Sequence, residues 1–218
     1  MIDTLIRMIC CAAGGAAAGF GATLWIRKLQ KDRGLEYSLT KGNELCLIAV
    51  SAAAGGAIGV LTTGIGSALC AILLLGISEA ISVIDWNNRV IPNQTVLAVF
   101  GVKILSVVTG LLEGTSLKDM ELWQSLLGML ACFLVFSFPG ILGKKVGAGD
   151  VKLAAAMDFL LGTYSSLLGI VIMGLMILAF SFMQGKVPLM QFFKTNIPMG
   201  PFITVGMMAA FVGAPLLF

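Results

Sequence analysis

GSALCAILLLGISEAISVIDWNNRVIPN, residues 66–93, decides how this chain is read. Residues 66–84 carry a single charge, Glu79. At about 1.5 Å per residue that run reaches about 28 Å as a helix, close to the roughly 30 Å of a hydrocarbon core. It stops on a carboxylate, Asp85, and Arg89 and Pro92 follow. A membrane helix that ends on an acid poses the two questions that the rest of the chain answers: how many such helices there are, and what the acid meets.

Comparable apolar runs lie at about 5–26, 45–62, 94–112, 122–142, 160–182 and 200–217. The chain of 218 residues is 58% hydrophobic and 11% charged, where a soluble domain carries about 25% charged residues; its mean hydropathy is +1.01. This predicts an all-α fold, a polytopic transmembrane helix bundle of about 6–8 spans, with residues 1–218 forming a single membrane-embedded domain. The longest polar stretch, 27–44, is a loop. Residues 151–160 read as a short helix leading into the sixth span. The first apolar run is long and precedes a basic cluster, which fits a retained helix better than a cleaved signal. Gly14-Gly15 and Gly55-Gly56 sit among alanines, as close helix-packing surfaces do.

Histidine is absent, which removes Ser–His nucleophiles, HExxH zinc sites and histidine proton relays. The five cysteines, Cys10, Cys11, Cys46, Cys70 and Cys132, form no CxxC pair and read as small buried hydrophobes. No metal, cofactor or nucleic-acid partner is implied, and the twelve methionines read as packing or lipid-facing residues. Membrane lipid is the one partner that composition demands.

Orientation follows Lys and Arg. With 27–44 on the cytoplasmic side, that side holds Arg27, Lys28, Lys31, Arg33, Lys41, Arg89, Lys144, Lys145 and Lys152. The other holds Arg7, Lys118, Lys186 and Lys194. Nine against four predicts a multi-pass protein of the inner membrane with its N-terminus outside and its C-terminus inside. Lys144 and Lys145 would anchor the fifth span among headgroups.

Acids in or beside spans are costly and need a reason. Asp85 ends the third span, and Asp150, in KKVGAGDVK (144–152), follows the fifth. The predicted topology puts both on the cytoplasmic face. Two neighbouring carboxylates cannot both ionise freely, so one stays protonated while the other takes a proton from water. Gly147 and Gly149 would let a substrate backbone approach; equally, they and Asp150 could form a helix-capping turn. Arg89 could pair with Asp85 or anchor the topology. Asn88 and Asn93 could bond a substrate backbone or simply form turns around Pro92, which starts the fourth span. Ser78, Ser82 and Asp85 make one stripe, lining water or packing a helix. A Glu79–Lys103 pair is expected because each is a lone charge at depth. Asp158 reads as an end-of-helix or interfacial residue.

GAGDVK resembles the GxGD motif of membrane aspartyl proteases. DWNNRVIPN (85–93) resembles the first-aspartate motif of the type IV prepilin peptidases, and IPMGPFITVG (197–206) the start of that family's last helix. The resemblance spans roughly residues 70–215 and implies that Asp85 and Asp150 are the catalytic pair. It further implies that Gly147, Gly149 and Lys152 shape the site, and that the substrates are prepilin or pilin-like precursors, including Tad pilins and pseudopilins. Their short basic leader would be cut at the cytoplasmic face, beside pilus or secretion assembly proteins. Many relatives carry a zinc-binding CxxC module in a cytoplasmic loop, with N-methyltransferase activity; here 27–44 has no cysteine, so the short, peptidase-only form is expected. Two other readings compete: a non-catalytic carrier coupling ions or protons to buried acids, and a Ser–Lys peptidase on Lys103 and Ser106, whose mid-membrane depth counts against it.

Overall fold

A computed structural model describes residues 2–116, 120, 122–141, 147–183 and 198–217. Among these, the secondary structure is helical: α1 (Ile2–Asp32), α2 (Lys41–Leu61), α3 (Ile65–Asn88), α4 (Asn93–Leu112), α5 (Leu122–Ile141), α6 (Ala148–Leu161), α7 (Thr163–Met183) and α8 (Gly200–Leu217). Five of them, α1 to α4 and α7, are long and apolar enough to cross a membrane, and α5 and α8 are shorter apolar helices. The expected all-α polytopic bundle is what the chain forms. Lys118, Lys144, Lys145, Lys186 and Lys194 lie outside the described residues.

The helix ends follow local chemistry. Thr40 caps α2 by accepting the N–H of Asn43 at 3.3 Å. Pro92 is the N-cap of α4, and its carbonyl accepts from the N–H and the hydroxyl of Thr95. α3 ends where Arg89 turns left-handed (φ 55°), its N–H bonding the Asp85 carbonyl at 2.9 Å.

Lipid supplies no hydrophobic force between spans, so close backbone approach does the packing. α1 and α2 show this directly. A Cβ on Gly55 would lie 2.9 Å from the Gly15 Cα, and one on Gly19 would overlap Ser51. The glycine runs are therefore helix-packing surfaces, as expected. The larger core joins α3, α4, α6, α7 and α8 through Leu74, Ile81, Val99, Leu153, Met173 and Met207.

Residues 151–160 lie in the expected short helix before the sixth span, but the chain reverses between them: Gly162 (φ 78°) separates α6 from α7, and the two run in opposite senses. α6 starts beside the α3–α4 turn, where Gly149 meets Ile91, and ends beside α5, where Gly162 meets Ser125. α7 returns, so that Phe180 contacts Trp86 at the Asp85 end of α3. At 14 residues, or about 21 Å, α6 is too short to be a span. It is an inner helix held by α4, α5, α7 and α8.

This corrects the topology. The eight described helices alternate, and the start of α1 and the end of α8 lie on the same face, not on opposite ones. The end of α7 and the start of α8 both lie on the aspartate face. Among the described residues that face holds seven Lys and Arg, namely Arg27, Lys28, Lys31, Arg33, Lys41, Arg89 and Lys152, and Arg7 lies opposite, with Lys103 between.

Candidate active site

Three helix ends converge at the aspartate face. α3 brings Asp85 in its last turn, only 5% exposed. α8 aims its first N–H at it: Gly200 N donates to Asp85 Oδ2 at 2.8 Å. A helix N-terminus favours an ionised carboxylate through its free N–H groups and dipole. The fit requires glycine, since a Cβ on Gly200 would sit 2.8 Å from Asp85 Oδ2 and 2.9 Å from Asp85 Cβ. One turn along, Ser82 and Thr204 hydroxyls meet at 2.9 Å, and Thr204 donates to the Gly200 carbonyl. The serine stripe is thus a helix contact with α8 at Ser82. The Ser78 hydroxyl is buried with no hydrogen-bond partner among the described residues.

α6 brings Asp150, half-buried in its first turn. Burial, and then the charge of Asp85, push its carboxyl up to about 6. The packing agrees: Gly149, next to Asp150, rests on Ile91, just past the end of the helix that carries Asp85.

The two sequence glycines prove to be spacers. Gly147 is the N-cap of α6 with an ordinary φ of −67°, but a Cβ there would overlap the Asp150 carboxylate. A Cβ on Gly149 would stand 3.0 Å from the Ile91 Cβ, so its absence lets α6 dock on the α3–α4 turn.

The remaining candidates divide. Lys152 is exposed and reaches Asn93 Oδ1 at 3.5 Å, at the edge of the site. Pro92 is buried in its turn, and Arg89 is exposed. Asn88 does not face the acids: its Oδ1 accepts from Gln30 Nε2 at 2.7 Å. Gln30 is fully buried and also bonds Ser38, so Asn88 ties α3 to α1 and the 35–40 loop.

The expected Glu79–Lys103 pair does not form. Glu79 faces α2 and bonds the Ser51 hydroxyl. Lys103 turns the other way, to Ser125 Oγ at 2.8 Å and the Leu160 carbonyl at 3.2 Å. Helix spacing gave their depth but not their azimuth. Asp158 is an end-of-helix residue, in the last turn of α6 where its carbonyl accepts the Gly162 N–H, but it is not interfacial: it is 2% exposed and packed on Gly128 of α5. Gly200 is the residue that sequence reading missed. The motif around it stood out, but a glycine announces no chemistry until the group beside it is seen.

Among the described residues no cluster of Cys, Asp or Glu could hold a metal ion, and the five cysteines are free thiols. No curated protein and no solved structure matches the chain. Residues 68–182, just over half of the 218, match the model of the type IV leader peptidase family. That match takes in α3 from its first turn through nearly all of α7, with both aspartates, the α3–α4 turn and the glycine-spaced start of α6. The chain belongs to the type IV leader peptidase family.

Proposed function

We propose that this chain is one membrane-embedded peptidase domain, an aspartic endopeptidase that removes the short basic leader of prepilin-like precursors, with Asp85 and Asp150 as the catalytic pair. The observation that carries the reading is the packing of Gly149 on Ile91, which sets the first turn of α6, with Asp150, beside the end of α3, with Asp85. The family supports peptide hydrolysis, and the charge asymmetry of the described residues, seven Lys and Arg on the aspartate side against Arg7 opposite, supports a cytoplasmic, inner-membrane site, where such leaders stay.

The partition of roles follows from the surroundings. Asp85, accepting the Gly200 N–H, is the ionised base. Asp150, half-buried and facing that charge, holds the proton. Water between them loses a proton to Asp85 as its oxygen attacks the scissile carbonyl, and Asp150 protonates the carbonyl oxygen. Asp85 then passes its proton to the amide nitrogen, the C–N bond breaks, and a hydroxyl of the intermediate returns a proton to Asp150. The acid is released on the leader and the amine on the mature chain, and the pair is reset. The scissile segment must be extended, because a helix hides its carbonyls in i→i+4 bonds. The cysteine-free 27–44 segment supports hydrolysis without N-methylation.

The test is to incubate the purified protein in liposomes with a panel of candidate precursors and map the new N-terminus by mass spectrometry. Cleavage at the junction between the basic leader and the apolar segment is expected. No cleavage of any member, or cuts scattered elsewhere, would defeat the assignment.

A further inference from the structure

A cleft opens between α4 and α5, with α6 as its floor. The two outer helices each pack on α6 but hardly on one another, and the gap holds about 540 Å³. Leu97 and Phe100 form one wall, Leu130 and Phe133 the other, and Ala155 the floor. Leu97 is 70% exposed and Leu130 is 54% exposed, so the cleft faces the bilayer. One end is closed by polar groups, Asn93 and Lys152, 3.5 Å apart. That end adjoins the aspartate site: Lys152 follows Asp150 by two residues, and Asn93 follows Ile91, on which Gly149 rests.

We propose that this cleft holds the first turns of the substrate's membrane helix, the apolar segment just past the scissile bond. The proposal rests on the peptidase reading above and adds where the substrate sits. An extended residue spans at most about 3.6 Å, so a bond hydrolysed at Asp150 leaves the following apolar segment within a few residues of it. Only a lipid-facing surface beginning beside Asp150 can receive that segment without pulling it from the bilayer. The cleft begins there. From Asn93 to Phe100 it descends about 10 Å, two helical turns. Ala155 at its floor permits close helix approach, and the splay of α4 and α5 leaves an apolar groove of the kind that takes a helix face. Occupation by an acyl chain is the competing outcome.

The test fills the cleft from its exposed walls, using Leu97→Trp and Leu130→Trp, with Leu167→Trp on the exposed side of α7 as control. Each variant, purified into liposomes, is given a full-length precursor and a soluble peptide that ends a few polar residues past the junction. Cleavage of the full-length precursor should fall about tenfold or more in both cleft variants, the scale of a blocked apolar subsite. The control should match wild type, and the soluble peptide should be cut at unchanged rates. A parallel fall for both substrates, or no fall for either, overturns the proposal. A photo-crosslinker at position 97 in the Asp150→Asn background decides it independently, including where the soluble peptide is not cut. Adducts on the precursor's apolar segment support the cleft as the docking site, and adducts on lipid alone refute it. Failure of wild type to cleave any precursor would instead refute the peptidase reading.

Discussion

Replacing Gly200 with Ala tests the site at the residue that sequence reading overlooked. The added Cβ would sit 2.8 Å from Asp85 Oδ2 and 2.9 Å from Asp85 Cβ, where nonbonded carbon contacts settle at about 3.5–4.0 Å. The start of α8 must therefore retreat by roughly 0.6–1.1 Å. The Gly200 N–H to Asp85 bond, now 2.8 Å, would stretch past the limit of about 3.2 Å. A hydrogen bond to a charged group contributes a net of roughly 1.5–3 kcal/mol. If that bond keeps Asp85 ionised in the reacting state, kcat falls roughly 10- to 150-fold at about 1.36 kcal/mol per decade. The assay is single-turnover cleavage in liposomes, with melting temperature as the folding control. Gly213→Ala, on the same helix in open space, should leave kcat unchanged. Wild-type kcat in a normally folded Gly200→Ala protein would refute the role given to this contact.

Three further outcomes are expected. Asp150 carries a carboxyl pushed up to about 6, so the singly protonated pair is lost as pH rises through that value. The alkaline limb of kcat/KM should therefore fall with an apparent pKa near 6, and the Asp150 carboxyl, followed by isotope-edited infrared spectroscopy, should titrate lower in Asp85→Asn; a flat profile through pH 5–7 and an unmoved Asp150 would contradict this. Lys103→Met strands the Ser125 hydroxyl and the Leu160 carbonyl and should destabilise the protein by about 1–3 kcal/mol. Because Glu79 bonds Ser51 instead, Glu79→Gln should add to it within about 0.5 kcal/mol in unfolding measurements, whereas strong coupling would restore the rejected pair. Gly149→Ala presses a Cβ against Ile91 at 3.0 Å; cleavage should drop with little change in expression, and full activity would show that the α6 docking distance is not critical.

How far the fold could be read depended on where the chain breaks its own pattern. Asp85 and Asp150 were legible because a carboxylate at the edge of an apolar run is conspicuous. The reversal between α6 and α7 was not, because Gly162 and the polar run 163–166 mark a break but not the direction in which the chain leaves it. That one turn moved the end of α8 to the other face. Side-chain azimuth was the other blind spot. The positions of Glu79, Lys103 and Asn88 along their helices were right, but their partners, Ser51, Ser125 and Gln30, lie on helices whose neighbours the sequence does not name. Small residues gave up their location and not their purpose: Gly15 and Gly55 mark a helix seam, whereas Gly147, Gly149 and Gly200 make room beside the two acids.

The account's central claim is that Asp85 and Asp150 act as one unit, and the most direct measurement is precursor cleavage by Asp85→Asn and Asp150→Asn, each purified and shown to fold. The account predicts that either change alone abolishes cleavage and that the double variant is no worse than either single one, since residues acting as a unit are not additive. Substantial cleavage by either single variant would contradict it.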